Sequence, residues 1–85
     1  RDIKPQAPTH VLIIPKKHIA RVADMDPGDA AVMGELLLAA RAVAEQEGVS
    51  DAFRLVTNNG RHSGQAVFHI HFHLLAGRRF TWPPG

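Results

Sequence analysis

Between Ala66 and Leu75 apolar and polar side chains alternate with almost no interruption. Phe68, Ile70, Phe72 and Leu74 take one parity, and His69, His71 and His73 take the other. A period of two belongs to a β-strand, whose successive side chains point to opposite faces. The pattern predicts a strand over residues 66–75, buried on one side and carrying three imidazoles about 7 Å apart on the other. The apolar side requires a covering layer. The histidine side must border a cleft or the outside.

A helix is available as that layer. Asp26-Pro27-Gly28-Asp29 reads as its start: Asp26 can accept from free first-turn amides, Pro27 suits the first helical position, and Asp29 sits at the positive end of the dipole. Strong helix formers run on to Glu47, and Val32, Leu36, Ala39, Ala40 and Val43 line one stripe. Gly48 is a left-handed stop. The helix is predicted to span about 20 residues, roughly 30 Å.

Two further strands are predicted. One is the apolar run from His10 to Ile14, closed by Pro15, and the other is residues 53–57. The glycine-containing stretch Asn58 to Gly64 between the second of these and the histidine strand predicts a hairpin. Residues 1–9 hold Pro5 and Pro8, and the tail closes Trp82-Pro83-Pro84-Gly85; both segments read as extended.

Composition narrows the function. With 85 residues, one domain over 1–85 is expected. The chain has no cysteine, which removes disulfides, thiol catalysis and Cys-ligated zinc. A formal charge of +2 with scattered Lys and Arg does not make a nucleic-acid groove, and no membrane span or signal pattern is present. A reducing, cytoplasmic setting is the expectation. A domain this small is marginal alone, which makes self-association an expectation as well.

Three readings of the histidine face compete. It can be an ordinary polar strand face. It can be a metal site, since neutral imidazole ligates zinc; against this, three histidines of one strand are a strained set for one tetrahedral ion, and from Ala52 onward the chain has no carboxylate side chain. It can serve phosphoryl or nucleotidyl transfer: imidazoles and loop amides near Gly64 donate to phosphate, no acidic group repels it, and a neutral imidazole is a nucleophile. The central His71 is best placed for that role.

The run His69-Ile70-His71-Phe72-His73-Leu74-Leu75 resembles the histidine-triad signature. Pro5-Gln6-Ala7-Pro8-Thr9-His10, Ile14-Pro15-Lys16-Lys17-His18-Ile19 and Trp82-Pro83-Pro84-Gly85 extend the resemblance to the histidine triad nucleotide-binding branch, the purine nucleoside phosphoramidase type, from about Asp2 to Gly85. The resemblance implies an α+β fold, an antiparallel β-sheet with one long helix packed on it, assembled as a homodimer. It implies hydrolysis of the P–N bond of purine nucleoside 5′-phosphoramidates, with nucleoside monophosphates as ligands and no metal or other cofactor.

His71 is then the nucleophile, forming a transient nucleotidyl-histidine. His69 holds the geometry through its carbonyl and side chain, and His73 and His10 complete the histidine environment of the phosphate. Asn58, Gly64, Gln65 and the Ala66 amide match the phosphate-side loop. Asp2 matches a carboxylate on the ribose hydroxyls, Ile3 and Leu12 match apolar residues against the base, and Trp82 matches a residue that reaches the partner's site.

Two departures stand out. Ala66 replaces a serine found in many members, which implies slower or differently selective turnover. Members also carry several dozen residues ahead of the point where this sequence starts, so the family's N-terminal segment is expected to be lacking here. Two rivals accompany this reading: a non-catalytic nucleotide-binding interaction module, and a metal-dependent hydrolase using the histidine cluster.

Overall fold

The computed structural model describes residues 6–84, and in it helix α1 (Ala30–Gln46) covers one face of a three-stranded antiparallel sheet. The strands are β1 (Thr9–Ile13), β2 (Phe53–Val56) and β3 (Phe72–Ala76), in the order β1-β3-β2. The expected α+β class is the observed one. The candidate residues Asp2 and Ile3 lie outside the described residues.

Register sorts the side chains. Leu74 of β3 stands between Val11 and Leu55, while His73 stands between Leu12 and Val56. The Leu74 face joins Ile13 and Ala76 to Leu36, Ala40 and Ala44 of α1 in one buried cluster, with Leu74 fully inaccessible. A buried leucine or isoleucine contributes about 1.5–3 kcal/mol, so this cluster fixes the sheet and with it the opposite, histidine-bearing face.

The helix start follows the prediction. Asp26 accepts from the Gly28 amide at 2.8 Å, and Asp29 accepts from the Asp26 amide at 3.0 Å, a reciprocal cap over a short 3-10 turn. Gly48, at φ +72°, closes the other end, with its amide on the Glu45 carbonyl. Of the predicted stripe, Leu36 and Ala40 are buried, Val32 and Val43 half-buried and Ala39 exposed; Ala44 takes the place expected of Ala39.

One strand departs from expectation. The ladder begins at Phe72 rather than Ala66, so His69 and His71 precede β3. The backbone hydrogen bonds of this stretch go elsewhere: the Ile70 amide donates to the Ile19 carbonyl at 2.6 Å, and the Val67 carbonyl accepts from the Gln65 side chain at 2.9 Å. β2 and β3 are antiparallel neighbours as predicted, joined by the long connection of residues 57–71. Among the described residues no helix is long and apolar enough to cross a membrane.

Lys17 ties the segment after β1 to the helix start by an ion pair with Asp29, whose side chain is 3% exposed. The Asp29 carboxyl is held below its ordinary value, first by the Lys17 hydrogen bond and then by the Asp26 amide; the same pairing raises Lys17. A depressed carboxyl stabilises the fold above its unfolded value, and that gain vanishes as pH falls through the folded value. The raised lysine contributes fully below its unfolded value and loses its share as pH rises through the folded one. The stability advantage of the native chain over Asp29→Asn, measured by denaturant unfolding, is therefore expected to be largest at mid pH and to shrink at both extremes. A gap unchanged from acid to alkali would contradict the pairing.

Candidate active site

His10 lies on β1 and His73 on β3, on the sheet face turned away from α1. His10 is buried at 5% exposure, and its Nε2 lies 2.9 Å from His73 Nδ1. The Gln6 amide donates to His10 Nδ1 at 3.0 Å. That nitrogen therefore carries a lone pair and the His10 proton sits on Nε2, donated to His73 Nδ1. The His71 ring follows, its centroid 5.1 Å from that of His73 and its plane at 66° to it, edge-on.

His71 is oriented by the main chain. Its Nδ1–H donates to the His69 carbonyl at 2.8 Å. A carbonyl oxygen only accepts, so the proton is on Nδ1, and in the neutral ring the lone pair is on Nε2. The residue is held a second time, since the Thr57 hydroxyl donates to the His71 carbonyl at 2.8 Å. Thr57 is a support that sequence reasoning missed, because only the fold brings it to residue 71.

His69 faces a different neighbourhood. Its Nε2–H donates to the Pro15 carbonyl at 3.0 Å, and its ring stands 5.1 Å from that of His18. His18 is exposed, yet it is the ring beside His69. The rings thus form a series of three, His10, His73 and His71, and a separate pair, His69 and His18. Among the described residues no group of three or more His, Asp or Glu side chains is arranged to hold a metal ion.

A cleft of about 210 Å³ opens where the two groups meet, lined by His71 of the series, His69 of the pair, and Leu12, Ile14 and Val67. Leu12 is half-buried beside His73 in the ladder, and Ile14 and Val67 are exposed at its mouth. A larger open depression of about 550 Å³ lies beyond the far end of β3, against Gly77, Arg78 and Arg79, and holds no histidine.

The loop beside the site is built on Gln65, which is 3% exposed. Its Oε1 accepts from the Gly60 amide at 2.8 Å, and its Nε2 donates to the carbonyls of Ala20 at 2.7 Å and Val67 at 2.9 Å. The side chain is fully engaged within the fold, so what it offers the site is the shape of the loop. The Gly64 and Gln65 amides are likewise bonded to the Arg61 and Gly60 carbonyls. Asn58 is half-buried beside Gly64, where an added Cβ would lie 3.8 Å from Asn58 Nδ2. Among the described residues no hydrogen bond engages the Ala66 amide, so it is open to an anion. Trp82 is 85% exposed and does not line the cleft.

Comparison with known proteins bears on the family and the fold. A family model described as HIT domain matches residues 1–80. An uncharacterised HIT-like protein of Synechocystis is 54% identical over all 85 residues, which correspond to 75% of that relative. The crystal structure of a HIT family hydrolase from Legionella pneumophila superposes with a TM-score of 0.97 at 53% identity, over 100% of this chain and 77% of the other. A histidine triad nucleotide-binding protein from Candida albicans superposes with a TM-score of 0.76 at 32% identity, over 96% of this chain and 64% of the other.

Proposed function

This chain belongs to the HIT domain family, and from that membership we propose that it is a purine nucleotide-binding hydrolase of nucleoside 5′-phosphoramidates, working in the cytoplasm through a nucleotidyl-histidine. The observation that carries the proposal is the 2.8 Å hydrogen bond from His71 Nδ1 to the His69 carbonyl. It fixes the tautomer in which Nε2 is nucleophilic, without any titratable partner on the other nitrogen.

The reaction has two displacements. In the first, His71 Nε2 forms a bond to the α-phosphorus as the P–N bond breaks, and the amine departs with a proton taken from solvent, which the water of the second step returns. In the second, water forms a P–O bond as the P–Nε2 bond breaks, releasing the nucleoside monophosphate and restoring the ring. His73, held by His10, and the open Ala66 amide flank the phosphate as donors, and Leu12 with Ile14 supplies apolar surface. Gln65, Gly64 and Asn58 shape the loop that presents the amide. Asp2 and Ile3 complete the ribose and base contacts in this reading.

The working unit is proposed to be a homodimer. In its support, β2 is an edge strand among the described residues, and Phe53, Leu37 and Leu38 are exposed apolar side chains on β2 and α1. Trp82 then belongs to the second copy's site.

Trapping tests the covalent route. After mixing with an AMP-amine phosphoramidate under single-turnover conditions and quenching in alkali, the peptide containing His71 is expected to carry one adenylyl group by mass. Turnover with an adduct on another residue, or with none, overturns it. AMP binding with no turnover favours the interaction module instead.

A further inference from the structure

The stretch between β1 and α1 supports the histidine segment without a ladder of its own. Residues 14–21 form neither helix nor strand, yet three of their carbonyls accept hydrogen bonds from the segment that carries the site. Pro15 accepts from His69 Nε2 at 3.0 Å, Ile19 from the Ile70 amide at 2.6 Å, and Ala20 from Gln65 Nε2 at 2.7 Å. Farther on, the Ala23 amide donates to Asn59 Oδ1 at 2.7 Å. All of these bonds join the stretch to residues 59–70, and none of them ties it to the frame of sheet and helix.

Two side chains make that tie. Ile19 is buried, and Lys17 reaches Asp29 at the start of α1. The Asp29 carboxylate has both oxygens engaged, Oδ1 by Lys17 and Oδ2 by the Asp26 amide at 3.0 Å. It is therefore fixed by the helix cap, and the charged bond it accepts is of the strong kind. Lys17 stands between Pro15 and Ile19 in the chain, so a bond at its tip restrains the carbonyls on both sides.

We propose that Lys17 is a positioning residue for the nucleophile. Its bond to Asp29 places the Pro15 and Ile19 carbonyls, these place His69 and Ile70, and the His69 carbonyl orients His71 through Nδ1. The phosphate donors His10 and His73 are placed separately, by the β1–β3 ladder. Loss of Lys17 therefore shifts the attacking ring relative to phosphorus while the ligand still binds, which lowers kcat and spares KM. The inference rests on the proposed role of His71.

The test compares the full chain with four variants by kcat and KM on an adenosine phosphoramidate, at a temperature where thermal unfolding shows each protein folded. Lys17→Met is expected to lower kcat about tenfold with KM within about twofold. Lys17→Arg is expected to regain most of the rate, because the half-exposed stem leaves room for the longer side chain. Arg21→Met removes an exposed ion pair confined to its own turn and is expected to keep kcat within about twofold. Lys17→Met with Asp29→Asn leaves no stranded buried carboxylate, so it serves if Lys17→Met fails to fold, and it is expected to be as slow as Lys17→Met. Nitrogen-15 NMR of the histidine rings reads the same coupling without turnover. The His69 Nε2–H and His71 Nδ1–H signals are expected to shift in Lys17→Met and to return in Lys17→Arg.

A folded Lys17→Met or double variant with native kcat overturns the proposal. So do ring signals that stay in place, and so does an equal loss of rate in Arg21→Met. If the native protein cleaves no phosphoramidate, the reading of His71 as nucleophile fails, and the two ring signals still decide whether Lys17 places His69 and His71.

Discussion

His71→Ala is expected to keep the fold and to lose phosphoramidate turnover by on the order of 10⁴-fold or more, about 5 kcal/mol of transition-state stabilisation. The ring is only half-buried and lies on the sheet face away from α1, so its removal leaves the Leu74 cluster intact. The proposed chemistry has no substitute for it. His73 Nδ1 already accepts from His10, and His69 is turned toward Pro15, so neither ring stands where His71 does. The measurement pairs kcat/KM with thermal unfolding and AMP binding. Normal turnover in a folded His71→Ala protein removes the nucleophile from the account.

Gln65→Leu is expected to act on stability and activity together. Leucine fills the space but leaves the Gly60 amide and the Ala20 and Val67 carbonyls without their partner. Each buried group left unpaired costs about 1–3 kcal/mol, and partial entry of water brings the expected total to about 2–5 kcal/mol. The same bonds set the bend from which His69 and His71 project, and a shift of about 1 Å at a reacting group costs roughly 10²-fold in rate. Gln65→Glu is expected to be no better, because a carboxylate cannot donate to two carbonyls. Denaturant unfolding and kcat/KM check both. A Gln65→Leu protein with native stability and rate would show that the loop does not depend on this side chain.

These contacts also mark what the sequence could reveal. The alternation made Leu74 legible as core, because burial follows parity where the ladder meets the helix, and Ile70 is buried too; it misplaced Phe68, which lies ahead of the ladder and is 40% exposed. Asp26, Pro27 and Gly48 made both helix ends legible, because caps are local chemistry. The start of β3 was not legible. Strand propensity continues through residues 66–71, and what ends the ladder there is the distant Ile19 carbonyl together with an amide side chain.

The site divides the same way. His71 was identifiable as the central imidazole, whereas the ring pairs His10–His73 and His18–His69 depend on which strands meet. Thr57 carries no local signal at all, since its partner is 14 residues away.

The acceptor that orients His71 is a peptide carbonyl, and every residue type supplies one. Saturation mutagenesis at position 69 would leave that oxygen in place and so would score the support as dispensable. Only an atom-level edit removes it, such as a thioamide exchange at residue 69, introduced by chemical ligation, which puts sulfur where that oxygen stands. Tolerance of substitution at this position therefore measures the imidazole of His69 and says nothing about the backbone on which its neighbour depends.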